Sequence, residues 1–140
     1  MRRVLLDTDI LSEILKGRDL LVVRRAVAYA EEHGRFTYTA VSIHEILFGL
    51  HYRDATSQLR HAEVCFNENE VILPVLEDYT TAGRVRGQAR RQGRQLTLDD
   101  CLIGSVAQRL GLPVATGNAG HFEAMRLAGL SIELENWRQP

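Results

Sequence analysis

Val4-Leu5-Leu6-Asp7-Thr8-Asp9-Ile10-Leu11-Ser12 opens the chain with three apolar residues, an acid-hydroxyl-acid turn and the start of a helical pattern. An unbroken apolar run without polar alternation suits a strand covered on both faces, the condition of a central strand in a parallel sheet. Further along, β-type runs recur at Phe36 to Thr39, Val71 to Leu73, Val114 to Thr116 and Ser131 to Leu134. Helical patterns separate them: Asp9 to Lys16, Leu20 to His33, Ser42 to Tyr52, Ser57 to Asn67, Leu76 to Gln92, Asp99 to Leu110 and Gly120 to Ala128. Gly17, Gly34 and Gly111 follow helical segments as C-terminal stops, whereas Gly83, Gly87 and Gly93 weaken the fifth helix. The alternation predicts an α/β fold with a central parallel sheet of about five short strands and helices on both faces, a three-layer α/β/α arrangement.

Composition bounds what such a chain can be. Its 140 residues point to one domain spanning 1–140, and 45% hydrophobic content supplies a core without disulfides or a structural metal. With 25% charged residues and a net charge of -1, disorder, collagen and coiled coil are excluded, and binding to a polyanion needs a local cluster of cations. Cys65 and Cys101 both sit in apolar surroundings and form neither a disulfide framework nor a CxxC site, which fits a reducing, cytoplasmic location. Three apolar residues after Met1-Arg2-Arg3 fall far short of a signal peptide, and no stretch approaches a membrane span.

In open parallel sheets, ligands bind beyond the carboxyl ends of the strands. Asp7 stands at such an end, where its plain structural role would be a helix cap. Glu45 lies one turn into the helix after the second strand. Ser42-x-x-Glu45 matches a capping box, yet Glu45 falls opposite the stripe of Ile43, Ile46, Leu47 and Leu50, with Gly49 leaving room one turn below. Asp99 and Asp100 open a nearly all-apolar helix behind Thr97, and periodicity does not choose between them. Thr116 and Asn118 follow the fourth strand, with His121 close by. Carboxylates gathered at one edge repel unless a cation neutralises them, and an all-oxygen set suits Mg²⁺ or Mn²⁺ better than Zn²⁺. That chemistry is phosphodiester hydrolysis.

These segments resemble the PIN-domain ribonucleases, specifically the VapC toxins of type II toxin-antitoxin systems, over nearly the whole chain. Leu5-Leu6-Asp7-Thr8-Asp9-Ile10-Leu11-Ser12 is similar to the family's opening strand and turn, and Ser42-Ile43-His44-Glu45-Ile46-Leu47-Phe48-Gly49 to its second acidic segment. Asp100-Cys101-Leu102-Ile103-Gly104-Ser105-Val106-Ala107 resembles its Asp-x-x-Ile-Ala/Gly-x-x-Ala helix, and Ala115-Thr116-Gly117-Asn118-Ala119-Gly120-His121-Phe122 the stretch after its fourth strand. The resemblance implies that Asp7, Glu45 and Asp100 are the catalytic metal-binding acids, with Asn118 a weaker ligand and Thr8, Ser12 and Thr116 in support. Many relatives carry an acid where this chain has His121, so one well-held Mg²⁺ or Mn²⁺ is expected rather than two. Also implied are endonucleolytic cleavage of RNA of the tRNA or rRNA class, homodimerisation, and inhibition by a VapB-type antitoxin.

A local basic face is available for such a substrate. Arg86, Arg90 and Arg94 form an i, i+4, i+8 stripe with Arg91 alongside and Arg84 nearby, suited to RNA phosphates; alternatively, it is a solvated face paired with Glu77 and Asp78. With few free aromatics, no base-stacking platform is expected. Leu47, Phe48, Leu50 and the Leu20 to Tyr29 helix offer apolar surface to a partner if core packing does not consume it. The haloacid-dehalogenase and receiver patterns resemble the acidic turns, but the one lysine, Lys16, is poorly placed for them, and no Walker loop is present. The remaining alternative is a catalytically weak PIN fold that binds RNA or a partner without cutting.

Overall fold

A computed structural model describes residues 1–140. Five strands, β1 (Leu5–Leu6), β2 (Thr37–Thr39), β3 (Glu70–Ile72), β4 (Val114–Thr116) and β5 (Leu134–Asn136), form one parallel sheet in the order β3-β2-β1-β4-β5. Seven helices connect them: α1 (Thr8–Lys16), α2 (Leu20–His33), α3 (Ala40–Tyr52), α4 (Thr56–Glu68), α5 (Leu76–Arg91), α6 (Leu98–Leu110) and α7 (Ala119–Leu127).

The pleat of β1 sorts the core into two halves. Leu5 packs with α5, α6 and α7 through Val85, Ile103, Val106, Phe122 and Met125. Val4 and Leu6 point the other way, into Ile10, Leu11, Val22, Tyr29, Ile46 and Trp137 on the α1 to α4 side. Successive side chains leave a strand on opposite faces, so an unbroken apolar run feeds both layers and produces the three-layer sandwich expected. Gly17, Gly34 and Gly111 all adopt positive φ at the ends of α1, α2 and α6. The weakened fifth helix is continuous, because α5 buries Asp78, Ala82, Val85 and Ala89 against α6. Its glycines cost helix propensity, and tertiary burial outweighs that cost.

Two expectations need correction. The last strand is Leu134–Asn136, not Ser131 to Leu134. Its register on β4 pairs Ala115 with Glu135 and Thr116 with Asn136, polar residues that an apolar-run criterion passes over. The first turn of α3 holds the other. The N-cap of α3 is Thr39, so Ser42 lies inside the helix and forms no capping box with Glu45.

Candidate active site

The chain leaves β1 toward β2 and β3 on one side of the sheet and returns to β4 and β5 on the other, so the crevice between β1 and β4 is the topological switch point. Asp7 ends β1 there, 6% exposed. Its Oδ1 accepts from the Thr8 amide at 2.8 Å and its Oδ2 from the Thr116 hydroxyl at 2.9 Å, across the crevice. Thr116 is itself oriented by the Asn118 amide, which donates to its Oγ1 at 2.9 Å. Asp7 therefore has both oxygens held but no cationic side chain bonded to it. Burial, then the neighbouring Asp9 carboxylate, push its carboxyl up to about 8; the Thr116 and Thr8 hydrogen bonds pull it down, and Asp100 adds a smaller push upward.

Glu45 reaches the same edge from α3. The Thr8 hydroxyl donates to Glu45 Oε1 at 2.7 Å and lies 2.8 Å from Ser42 Oγ. A hydroxyl has one proton, and that of Thr8 goes to the carboxylate, so Ser42 donates to Thr8. The buried Ser42, whose spacing mimics a cap, is thus the base of a Ser42-Thr8-Glu45 relay. Burial raises the Glu45 pKa, Thr8 opposes that, and the charges of Asp99 and Asp100 raise it further. Asp100 enters from α6, where Thr97 caps the helix by accepting the Asp100 amide at 3.1 Å. Its carboxylate meets His121 Nδ1 at 2.8 Å.

Asp7, Glu45 and Asp100 therefore come to one edge, and the charge of Asp100 reaches both of the others. As they stand, however, no three His, Cys, Asp or Glu side chains close into a cluster able to coordinate one ion. Asn118 is exposed, with no side-chain hydrogen bond to the helix it precedes. Ser12 lines a recess with Thr8 and Glu45 between α1, α3 and α4.

Asp9 carries no sequence signal beyond capping. The Gly117 amide donates to its Oδ2 at 2.9 Å, while its Oδ1 is buried without a partner. The only other such atom is Thr39 Oγ1, at the carboxyl end of β2 on this same sheet edge. Buried polar atoms are ordinarily satisfied, so two orphans at one edge mark where a water or cation belongs. Arg138, from beyond β5, bridges Asp9 at 3.8 Å, Glu13 at 3.5 Å and Asp19 at 3.2 Å. Gly117 permits this: a Cβ there would stand 2.2 Å from Arg138 Nε and 2.8 Å from Asp9 Oδ2. Nothing in the pattern around Arg138 signals the contact, which spans almost the whole chain. Arg138→Ala should lower the metal-free melting temperature by roughly 3–5 °C, about 1 kcal/mol for a one-third-exposed cation among three acids, with partial rescue by Lys.

On the α5 side, Arg86, Arg90 and Arg94 line a groove with Gln95, Leu96, Thr97 and Leu98 that leads toward the start of α6. Their pairing with Glu77 and Asp78 is not found. Asp78 is buried and grips Arg109 instead, and Arg86 Nε donates to the Leu96 carbonyl at 2.9 Å. Arg84 and Arg91 line a separate shallow recess with Gly83 and Gly87. The expected lack of free aromatics is also corrected. His44, Phe48 and Tyr52 stack along α3 with centroid spacings of 6.4 and 6.5 Å, Phe48 and Tyr52 being 67% and 85% exposed. An i, i+4, i+8 search for aromatics would have found them. Of the apolar residues considered as partner surface, Leu50 is core, whereas Phe48, Leu20 and Val27 are exposed.

A five-stranded α/β/α sandwich with acids at its switch point defines a class of proteins, and comparison names it. The PIN domain family profile matches residues 4–126, and the chain belongs to that family. Solved structures agree on the fold. The chain is similar to the DNA-bound VapBC of Salmonella typhimurium at 22% identity, TM-score 0.80, covering 98% of this chain and 99% of that one. VapBC2 of Rickettsia felis, also bound to DNA, is 17% identical at TM-score 0.80 over 97% and 99%. FitAcB of Neisseria gonorrhoeae is 19% identical at TM-score 0.79 over 98% and 99%. At these identities the likeness speaks for the fold alone. Among curated proteins none matches significantly.

Proposed function

We propose that the protein is a Mg²⁺- or Mn²⁺-dependent endoribonuclease of the VapC toxin type, with Asp7, Glu45 and Asp100 as its catalytic acids. The observation that carries this reading is the Asp7 carboxyl, held from both sides at the switch point, its pKa raised first by burial and then by neighbouring acids, and lacking any cationic partner. Such a group is costly unless a cation arrives. The donor set fits a hard divalent ion: every candidate ligand is oxygen, and Asp9 Oδ1 is an orphan beside them. Mg²⁺ commonly keeps several waters and takes only one or two carboxylates, so a site without three converged acids suits it.

Asp7 would hold the ion, with Asp100 and Asp9 adjoining it and Asn118 a weaker neighbour. Bound there, the ion would supply an activated water and neutralise charge on a phosphoryl oxygen. The chain's own part is positional. Thr116 and the Thr8 amide fix the Asp7 oxygens, the Ser42-Thr8 pair turns Glu45 toward the crevice, and His121 sets the direction of Asp100. Arg90, Arg91 and Arg94, with Arg86 anchored behind them, supply cations for RNA phosphates, of the tRNA or rRNA class. A VapB-type antitoxin is the proposed inhibitor and homodimerisation the proposed assembly, supported by the likeness to VapBC structures and by the exposed Phe48, Leu20 and Val27. No helix is long and apolar enough to cross a membrane, and both cysteines are free; a cytoplasmic location is in keeping with these.

One observation favours a second reading. Asp100 is engaged by His121, where many family members carry a further acid, which would suit a catalytically weak module that binds RNA or a partner. Cleavage of total RNA with Mg²⁺ or Mn²⁺ and with EDTA, by wild type, Asp7→Asn and Asp100→Asn, separates the two. The nuclease reading expects metal-dependent cutting by wild type and a loss of at least a hundredfold in each variant. Three proteins that behave alike would refute it.

A further inference from the structure

Beside Glu45 the molecule carries a recess that the carboxylates do not explain. Its lining includes Thr8 and Glu45 and, from α1, the end of α3 and α4, the polar heads of Lys16, Arg53, Gln58 and His61. The chain's single lysine and the arginine are exposed, and no side-chain hydrogen bond or ion pair ties either of them, Gln58 or His61 to the rest of the protein. Six of the sixteen arginines, Arg2, Arg3, Arg35, Arg109, Arg126 and Arg138, sit on carboxylates, so what sets Lys16 and Arg53 apart is that two unpaired cations line one recess. Two free cations and two free polar heads around one recess, against a single acid, make it a place for an anion.

The backbone aims the arginine inward. Glu45, Gly49 and Arg53 share one face of α3 at i, i+4 and i+8. A Cβ on Gly49 would lie 3.7 Å from Arg53 Nη1, so the guanidinium folds back over the glycine, along the recess that Glu45 also lines, while remaining exposed. The volume, about 160 Å³, is below the roughly 300–1,000 Å³ of pockets that take a whole drug-sized ligand. It suits one phosphodiester.

We infer that this recess is a phosphate subsite, in which Lys16 and Arg53, with Gln58 and His61, hold the phosphate of an RNA nucleotide adjoining the one presented to Asp7. The inference rests on the nuclease reading and deepens it. It also answers an electrostatic difficulty: a cluster of acids repels the polyanion it is meant to cut, so cations must grip the strand on either side. The groove of Arg86, Arg90 and Arg94 lies on the α5 face of the sheet and the Lys16 recess on the α1 to α4 face, with the acids on the edge between them. A strand crossing that edge is held at both ends.

The test is binding of a fluorescein-labelled single-stranded RNA 12-mer, by anisotropy in EDTA so that nothing is cut, across a salt series. Wild type is compared with K16Q/R53Q and with R24Q, which removes an exposed charge on α2 away from the recess. The double variant should bind at least tenfold more weakly, and the slope of log K against log salt should shrink by about 0.7 for each phosphate that is no longer neutralised. R24Q should change neither, and unchanged melting temperatures show that the exposed substitutions leave the fold intact. Equal affinity and slope in wild type and K16Q/R53Q would overturn the subsite while leaving the nuclease reading standing. The same weakening in R24Q would also overturn it, as would loss of a co-purifying polypeptide from K16Q/R53Q with RNA binding intact. A wild type that binds no RNA in EDTA would overturn the subsite, which holds the strand without the ion, while the cleavage assay decides the nuclease reading separately.

Discussion

Asp7→Asn is expected to abolish metal-dependent cleavage and at the same time to stabilise the metal-free protein. The native carboxyl titrates at about 8, against about 3.9 for an aspartate in an unfolded chain. Between those values the native state holds a proton that the unfolded state has lost. Stability therefore falls as pH rises from about 4 to 8, by several kcal/mol in total. Below about 4 both states are protonated and the difference vanishes. Asparagine carries no such proton, keeps an acceptor for the Thr8 amide, and removes the repulsion with Asp9 and Asp100. In EDTA the variant should melt roughly 5–10 °C above wild type at pH 8, and within a degree or two of it at pH 4. Added Mg²⁺ or Mn²⁺ should raise the wild-type melting temperature and leave the variant unmoved, because only a state that binds the ion is stabilised by it. A simple capping role predicts neither effect, because asparagine caps a helix about as well as aspartate: stability and activity would both stay near wild type. Thermal melts at the two pH values decide between these outcomes.

The second large effect lies away from the chemistry. Asp78 is 1% exposed, accepts both Nε and Nη2 of Arg109 at 2.9 and 3.0 Å, and also accepts the Val75 amide at 2.8 Å. Arg109→Ala leaves that carboxylate buried with only an amide for company, and should cost about 3 kcal/mol or more, with a fall in melting temperature of roughly 10 °C. Asp78→Asn should cost less, because the amide keeps an acceptor and sheds the buried charge. The pair ties α5 to α6, the helices that carry the arginine groove and Asp100, yet neither partner touches the crevice. Cleavage by Arg109→Ala well below its melting temperature should stay within a few fold of wild type. A hundredfold loss there would show that the α5-α6 contact positions the acids.

How far the chain could be read depends on the range over which each signal acts. Val4-Leu5-Leu6 declared a doubly covered strand because both neighbours along the pleat had to be apolar, and the layers follow from that. β5 slipped by three residues because Glu135 and Asn136 carry no hydrophobic signal, and only pairing with β4 makes them strand. The Ser42-x-x-Glu45 spacing was ambiguous for a local reason: capping and presentation to a neighbouring element use the same residues. The partner that decided it, Thr8, lies on another helix.

Local chemistry thus determined the strand and helix order, the helix stops at Gly17, Gly34 and Gly111, and which carboxylates could face the sheet's carboxyl edge, since these depend on residues a few positions apart. Only the tertiary structure decided that Asp7 is held by Thr116, that Asp100 turns to His121, that Arg138 lies on Asp9, and that Lys16 and Arg53 meet beside Glu45. Those contacts join different elements, some from opposite ends of the chain, and no periodicity in one segment encodes what the packing of the whole brings against it.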